Sequence, residues 1–361
     1  MMRAFCLLVM VVLGTASGVA ATPSWQEEWE RVLAAAKREG QVSVMGPVGT
    51  DTRDALTIPF QKSLGIRVDY FGSTGGQQAT RLAMERRADK YLWDIFIGGT
   101  TTGLTSLIPM GAFDPMEPAL ILSDVKDPKT WRGGGIEFVD PGRQMVVMTP
   151  THRVTVVVNT SQVSPKALRS YKDLLDPKWK GKIVIQDPQL AGSSQATFTF
   201  FYLHPELGPN FIRALAKQAP LVLRDPAQAL QMTGQGKHPI HLGPRDSILM
   251  DAIRRGLPLA IVEPNHLKEG SDVSPGAGNA AVFNRSPHPN AAKVFINWLL
   301  SRDGQYGYGK ALGYVSKRLD VPTDYAEPWR VPQPGAINTY DQKAIDIKDD
   351  LIALLQETFG R

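Results

Sequence analysis

Hydrophobic and polar positions along the chain alternate between the period of an amphipathic helix and the period of a β-strand. Residues 24–40 open with the capping pattern Ser-x-x-Glu, carry apolar residues at helical spacing and stop at a glycine. A strand at 41–46, a helix near 52–64, an alternating strand at 66–71 and a buried strand at 93–99 follow. Because strands and helices keep alternating, this part of the chain predicts an α/β domain with a largely parallel sheet.

A β-branched segment at 144–159 separates this domain from a second one with a similar rhythm. The segment is long enough to run from one domain into another, and a strand at 257–264 can carry the chain back. The spacing of apolar residues predicts amphipathic helices at 288–305 and 341–359. We therefore expect two α/β lobes joined by more than one crossing segment. A ligand would lie between them, at strand carboxyl ends and helix N-termini.

The first 21 residues indicate where the protein works. One positive charge at Arg3 precedes an apolar run to Leu13 that is too short to span a bilayer, and small residues end the segment at Ala21. This pattern predicts a cleaved signal peptide over 1–21, with a membrane anchor as the alternative. Cleavage also removes Cys6, the one cysteine of the sequence. We expect a periplasmic protein without disulfides, whose stability comes from its core.

The charge balance argues against one class of partner. The formal net charge of +5 is mild for 361 residues, no run of Lys or Arg exceeds two, and no basic stripe is interleaved with aromatic residues. These patterns argue against nucleic acid as a partner.

Three loops rich in glycine and hydroxyl-bearing residues each lead into a predicted helix. Free backbone N–H groups and the helix dipole favour an anionic or carbonyl oxygen there, and glycine lets a ligand approach the backbone. The equal alternative is that Ser and Thr only cap their own helices. The candidate ligand-binding residues in these loops are Ser73, Thr74, Gly75, Gly99, Thr100, Thr101, Ser193 and Ser194.

Two arginines add positive charge to this pattern. Arg153 lies in the crossing segment beside His152, and Arg245 follows a predicted strand in the sequence GPRDS. A guanidinium group near a cleft would hold a carboxylate or a phosphonate through two parallel hydrogen bonds. A surface or inter-lobe ion pair is the competing interpretation for each arginine. For His152, a hinge histidine with satisfied hydrogen bonds is favoured over a functional one.

Motifs of enzyme chemistry are missing. The stretch GSTGG is followed by two glutamines, so it does not complete a P-loop, and neither a dinucleotide fingerprint nor a G-x-S-x-G elbow occurs. There is no H-E-x-x-H, and HPIH at 238–241 would point its two histidines to opposite faces of a strand. We expect no catalysis, no cofactor and no metal held by such motifs. A secreted hydrolase is kept as an alternative.

Three longer stretches resemble one known family, the bacterial extracellular solute-binding proteins. YKDLLDPKWKGKIVIQDP at 171–188 is similar to a family signature, HPNAAKVFINWLLSRDGQ at 288–305 resembles a family helix, and DIFIGG at 94–99 resembles the segment before a ligand-contacting loop. The resemblance implies an α/β two-lobe type II periplasmic-binding-protein (Venus-flytrap) fold, with mostly parallel central sheets and crossing hinge strands. It also implies delivery of a small-molecule solute to an ABC permease in the inner membrane. We expect a monomer.

The same patterns suggest how the chain is divided. After the signal peptide, 22–150 would form the first part of lobe one and 151–262 would form lobe two. Residues 263–361 would return to lobe one and end in helices that wrap around the protein.

The subgroup that this chain resembles includes ferric-iron-binding proteins, with relatives that take polyamines, thiamine and phosphonates. Its ferric members place a His or Tyr after the first strand, where this sequence has SVMGPVG, and a tyrosine pair in a lobe-two loop, where it has LGPRDS at 242–247. Fe(III) needs anionic oxygen donors such as phenolates, which these positions lack. We therefore expect a small anionic organic solute, a carboxylate or a phosphonate. A ferric-binding protein using a synergistic anion is the nearest alternative.

Overall fold

The computed structural model describes residues 24–190, 192–333 and 336–360, so the predicted signal peptide at 1–21 lies outside the described residues. Within those ranges, no helix combines the length and the apolar character needed to cross a membrane. The strands are β1 (Gln41–Gly46), β2 (Arg67–Gly72), β3 (Ile95–Gly98), β4 (Met145–Val147), β5 (Thr151–His152), β6 (Val156–Asn159), β7 (Ile183–Gln186), β8 (Leu221–Leu223), β9 (Ile240–Leu242), β10 (Leu259–Ile261), β11 (Val273–Ser274) and β12 (Asn279–Val282).

The helices begin and end largely where caps and glycines predict. Ser24 forms the predicted capping box with Glu27, and Gly40 ends that helix in the left-handed conformation. The α-helices are α1 (Trp25–Glu39), α2 (Thr50–Leu64), α3 (Gly75–Arg87), α4 (Thr100–Thr102), α5 (Ser123–Lys126), α6 (Ser193–Leu203), α7 (Gly208–Ala216), α8 (Pro226–Gly234), α9 (Asp246–Arg254), α10 (Pro289–Leu300), α11 (Arg302–Leu312), α12 (Gln342–Asp346) and α13 (Lys348–Phe359).

Each lobe is built on a five-stranded sheet, in the order β2-β1-β3-β12-β4 in lobe one and β10-β6-β9-β7-β8 in lobe two. β1 runs parallel to β2 and β3, and β7 runs parallel to β8 and β9. The other pairs are antiparallel, because β4, β6, β10 and β12 belong to the segments that leave or re-enter a lobe through the hinge. The two-lobe α/β fold with crossing strands is confirmed. The sheets, however, are mixed rather than mostly parallel.

The hinge contains three chain segments side by side. β5 and β11 pair antiparallel, with His152 opposite Val273. The backbone of Val273 also donates to the carbonyl of Ile337 over 2.9 Å and accepts from the N–H of Thr339 over 3.1 Å. The predicted crossing segment at 144–159 therefore holds β4, β5 and β6 in succession, and the C-terminal segment joins it at the hinge.

Each lobe has its own apolar core. Lobe one packs α10 against its sheet through residues such as Phe295, and lobe two packs α6 against its sheet through residues such as Phe201. The last helix, α13, adds Leu354, Leu355 and other apolar residues to the core of lobe two. In the segment predicted to return to lobe one, β12, α10 and α11 thus lie with lobe one, while α13 lies with lobe two. The domain boundaries at 150 and 262 stay predictions.

Candidate functional site

The loops after β2 and β3 leave the first sheet at the same edge, because both strands run parallel to β1. The loops touch each other: a Cβ on Gly75 would collide with Oγ1 of Thr102, so this approach requires glycine. Ser73 donates its backbone N–H to the carbonyl of Gly46 over 3.0 Å. The buried Oγ of Ser73 has no hydrogen-bond partner among the described residues. A polar group is therefore left without a partner at this sheet edge.

The threonines of these loops make hydrogen bonds within the protein. Thr74 caps α3, since its Oγ1 accepts from the N–H of Gln77 over 3.4 Å and donates to Oε1 of Gln77 over 3.0 Å. Thr100 Oγ1 accepts from Nδ2 of Asn279 over 3.1 Å. Thr101 is exposed in α4, and its carbonyl accepts from the side chain of Thr105. The capping interpretation thus describes Thr74, while Ser73 keeps a free hydroxyl.

The corresponding edge of lobe two brings together the loops after β7 and β9. A Cβ on Gly243 would lie 2.6 Å from Cα of Ser194, so these loops are in close contact. Ser194 Oγ donates to the carbonyl of Gln186 over 2.7 Å, and Ser193 is buried beside it. Arg245 is exposed at the N-cap position of α9. Each lobe therefore presents two packed loops at the carboxyl ends of its parallel strands.

Arg153 lies in the hinge between these edges, directly after β5. Its backbone N–H donates to the carbonyl of Asp272 over 3.1 Å. Its partly buried guanidinium makes no hydrogen bond and no ion pair within 4.0 Å to any described residue. Burial by itself lowers the pKa of Arg153, but the nearby Asp272, Asp246 and Tyr314 raise it by more. Arg153 thus stays charged, with its hydrogen-bond donors free of protein partners.

Two buried carboxyl groups belong to the same cluster. Asp246, the first residue of α9, accepts at Oδ2 from Nη1 of Arg330 over 2.9 Å. Asp272 accepts at Oδ2 from Oγ1 of Thr339 over 3.3 Å. The Oδ1 atom of each has no partner among the described residues. Burial raises the pKa of Asp272, against the opposing effect of Arg153, and Asp246 adds to the rise.

Tyr314 connects this charged cluster to the loops of lobe one. A Cβ on Gly276 would lie 2.8 Å from Cε2 of Tyr314, and a Cβ on Gly99 would lie 3.5 Å from the carbonyl oxygen of Gly276. On the other side, the guanidinium of Arg330 lies 5.6 Å from the centre of the Tyr314 ring. Burial, reinforced by the charge of Asp246, raises the pKa of Tyr314. A continuous line of contacts therefore joins the two lobes beside Arg153.

The structure gathers the predicted ligand-binding residues in three places. Ser73, Thr74 and Gly75 lie with Gly99, Thr100 and Thr101 in lobe one; Ser193 and Ser194 lie near Arg245 in lobe two; Arg153 lies at the hinge. Their roles in binding stay predictions. Sequence reasoning missed Asp246, Asp272, Tyr314 and Arg330. The one available signal was that Asp246 follows Arg245 in GPRDS.

A hydroxyl–histidine pair in the hinge bears on the hydrolase alternative. His152 Nδ1 lies 3.1 Å from Oγ of Ser271, and His152 Nε2 accepts from the N–H of Gln333 over 3.2 Å. Because Nε2 accepts, Nδ1 carries the proton and donates to Ser271. Histidine in this tautomer cannot take a proton from Ser271, and both side chains are buried. The pair holds the hinge together, as expected for a histidine with satisfied hydrogen bonds.

Comparison with known proteins places the chain in a family. Residues 55–333 match the sequence profile described as bacterial extracellular solute-binding protein. A Haemophilus influenzae relative, named only as an uncharacterized protein, is 22% identical over 288 residues, which span 76% of this chain and 77% of that protein.

Solved structures share the fold at low sequence identity. The IdiA (FutA) protein of Trichodesmium, in complex with iron and citrate, superposes with a TM-score of 0.67 at 19% identity, covering 89% of this chain and 100% of its own. AfuA of Actinobacillus pleuropneumoniae, with bound fructose-6-phosphate, superposes with a TM-score of 0.61 at 16% identity. The match covers 89% of this chain and 98% of AfuA. Ferric iron-binding protein A of Mannheimia haemolytica, in an open conformation, superposes with a TM-score of 0.66 at 14% identity. The match covers 89% of this chain and 99% of that protein. With the profile match over most of its length, this chain belongs to the bacterial extracellular solute-binding proteins, the non-catalytic binding proteins of ABC transporters.

Proposed function

We propose that this protein captures a small anionic organic solute, of the carboxylate or phosphonate type, between its two lobes and delivers it to an inner-membrane ABC permease. The observation that carries the proposal is the guanidinium of Arg153, which is charged and partly buried and has no hydrogen-bond or ion-pair partner among the described residues. A planar guanidinium matches a carboxylate or a phosphonate through two parallel, charge-assisted hydrogen bonds.

The position of Arg153 supports capture between lobes rather than on one of them. It lies in the hinge, directly after β5, and its charge interacts with Asp246 of lobe two and with Tyr314, which contacts the loop of Gly276. A solute on Arg153 can therefore contact both sides of the cleft. Such a ligand stabilises the closed arrangement because it binds that arrangement better than the open one.

Ferric iron held with a synergistic anion is the second candidate. It draws support from the relatives, since the Trichodesmium structure contains iron and citrate and the Mannheimia protein is a ferric iron-binding protein. Judged by those likenesses alone, it is the better supported candidate. The residues favour the first one: Arg245 stands in the loop where ferric members carry tyrosines. In the described ranges, no group of three His, Cys, Asp or Glu residues could hold a metal ion.

Native mass spectrometry of gently purified protein tests the proposal, combined with titration of citrate with and without Fe(III). We expect a co-purified organic anion without iron, and no visible charge-transfer band when iron is added. A protein that retains iron and develops such a band would support the ferric candidate. A protein that shows no ligand, and no stabilisation across a broad panel of carboxylates and phosphonates, would contradict the proposal.

A further inference from the structure

We propose that the solute is a zwitterion: beside the anionic group on Arg153 it carries a protonated amine, which Asp246 and Asp272 bind. This inference rests on the proposed function, because it adds a second group to the same anionic solute. It narrows the ligand from any small organic anion to one whose two charges have opposite sign.

Two buried carboxylate oxygens receive no hydrogen bond from the described residues. Asp272 is 0% exposed and Asp246 is 8% exposed, and Oδ1 of each has no partner among the described residues. A buried acceptor without a hydrogen bond costs about 1–3 kcal/mol, and more when the group is charged. An ammonium group with its three donors offsets that cost for both oxygens at once.

The charged groups of this cluster are close enough to interact but are not all paired. Arg153, Asp246 and Asp272 interact electrostatically with one another. Yet no ion pair within 4.0 Å joins Arg153 to either carboxylate. If Arg153 served only to neutralise these carboxylates, it would pair with one of them, as Arg330 does with Asp246. The opposite charges instead interact over more than 4.0 Å, an arrangement that a ligand with both charges would complete.

The lobe-one side offers a further acceptor. Asn279 is fully buried, and its Nδ2 donates to the carbonyl of Gly98 over 3.0 Å and to Oγ1 of Thr100 over 3.1 Å. These two bonds orient the amide, and its Oδ1 has no partner among the described residues. In the proposed complex, a donor on the solute bonds this oxygen, which couples recognition of the solute to closure of the lobes.

A site of this kind should discriminate against anionic solutes that lack an amine. A site built to bind an ammonium group leaves its acceptors unpaired when that group is missing, so it rejects the shorter analogue strongly. A charge-assisted hydrogen bond contributes about 1.5–3 kcal/mol, which corresponds to roughly a tenfold to a hundredfold difference in affinity.

Calorimetric titration of the full-length mature protein, with a chelator present, tests the inference on matched ligands. The ligands are ω-aminoalkylphosphonates, alkylphosphonates and alkylamines of two to five carbons. We expect an aminoalkylphosphonate to bind at least tenfold more tightly than both the phosphonate and the amine of the same length. In Asp272→Asn and Asp246→Asn, each confirmed as folded by thermal unfolding, this preference for the amine should shrink at least tenfold. The control Asp251→Asn, in α9 and paired with the exposed Arg254 and Arg255, should keep this preference.

The outcomes separate the inference from the proposed function. Equal binding of phosphonates with and without the amine would overturn the zwitterion and leave the anionic solute standing. Equal binding of alkylamines and aminoalkylphosphonates would overturn the anionic solute itself. An unchanged preference in both Asp272→Asn and Asp246→Asn would also overturn the inference, because the amine would then lie elsewhere.

Discussion

Arg330 and Asp246 form a buried ion pair, with Nη1 of Arg330 2.9 Å from Oδ2 of Asp246. Nη1 of Arg330 also lies 3.4 Å from the carbonyl oxygen of His152, which accepts from it. The pair thus ties the C-terminal segment to the first turn of α9 and to the hinge at one point. It positions Asp246, whose other oxygen has no partner among the described residues and whose charge interacts with Arg153.

We expect Arg330→Met to destabilise the protein by about 3–5 kcal/mol, because it leaves the buried carboxylate of Asp246 without its partner. The double variant Arg330→Met with Asp246→Leu should recover most of that loss, since neither charge remains buried alone. Urea unfolding followed by circular dichroism measures both. The matched control is Arg213→Met, which breaks the exposed pair with Glu357 and should leave the free energy of unfolding almost unchanged. A cost for Arg330→Met as small as that of the control would contradict a structural role for the pair.

Substitutions of the neighbouring residues Ser73 and Thr74 should have different effects: one should change the affinity for the solute, and the other the free energy of unfolding. Thr74→Ala removes the cap of α3 and should lower the free energy of unfolding by about 0.5–2 kcal/mol, with the affinity for the solute unchanged. Ser73→Ala removes a hydroxyl that has no protein partner. We expect it to leave stability intact and to weaken binding by about threefold to tenfold, the size of one neutral hydrogen bond. The reverse pattern in unfolding and titration experiments would place Ser73 outside the site.

Gly276 should be sensitive to substitution for two reasons. Its φ is +56°, and a Cβ there would press on Tyr314 at 2.8 Å. Gly313→Ala is a matched control, because Gly313 has φ of +67° but open space where a Cβ would lie. Both variants carry the cost of a left-handed residue, about 1 kcal/mol. We expect Gly276→Ala alone to displace Tyr314 and weaken binding. Equal affinity of the two variants would argue that Tyr314 does not border the ligand.

The buried side chain of His241 makes the stability of lobe two depend on pH. Burial lowers the pKa of His241 to about 3, and neither ring nitrogen has a partner among the described residues. In the unfolded chain the group titrates near 6.5. The stability contributed by neutral His241 is therefore fully present above pH 6.5 and is lost as the pH falls from 6.5 towards 3.

The measurement is the free energy of unfolding between pH 7 and pH 4 for the wild type, His241→Leu and His241→Phe. We expect these substitutions to reduce the slope by up to about 1.4 kcal/mol per pH unit. The residual slope should keep its sign, because burial also lowers the pKa of His152. Identical slopes in all three proteins would show that His241 does not govern the acid response.

The sequence patterns predicted the parts of the fold that depend on local periodicity. The capping box at Ser24, the alternating strands and the β-rich crossing segment at 144–159 are all found. The direction of β4, β6, β10 and β12 was not predicted, because it depends on how the chain passes through the hinge rather than on residues within each strand.

For the candidate site as well, local sequence patterns indicate some residues, whereas others become apparent only from the fold. Glycine and hydroxyl residues before helices, and an arginine in the crossing segment, can be recognised locally. The charged residues around that arginine cannot: Arg330 pairs with Asp246, which is 84 residues away, and no spacing rule connects the two. Burial of Asp272 and Tyr314 arises only when the hinge, lobe one and the C-terminal segment come together. The unpartnered oxygen of Asp272 becomes visible only in the folded protein.

The most direct test of the account is the affinity of wild-type protein and of Arg153→Gln for the tightest-binding carboxylate or phosphonate, measured by calorimetry with a chelator present. The control is Arg254→Gln, whose guanidinium is exposed and pairs with Asp251. The account predicts iron-free binding by the wild type and the control, and at least about a tenfold loss in Arg153→Gln. Undiminished binding by Arg153→Gln, or wild-type binding only when Fe(III) is supplied, would contradict it.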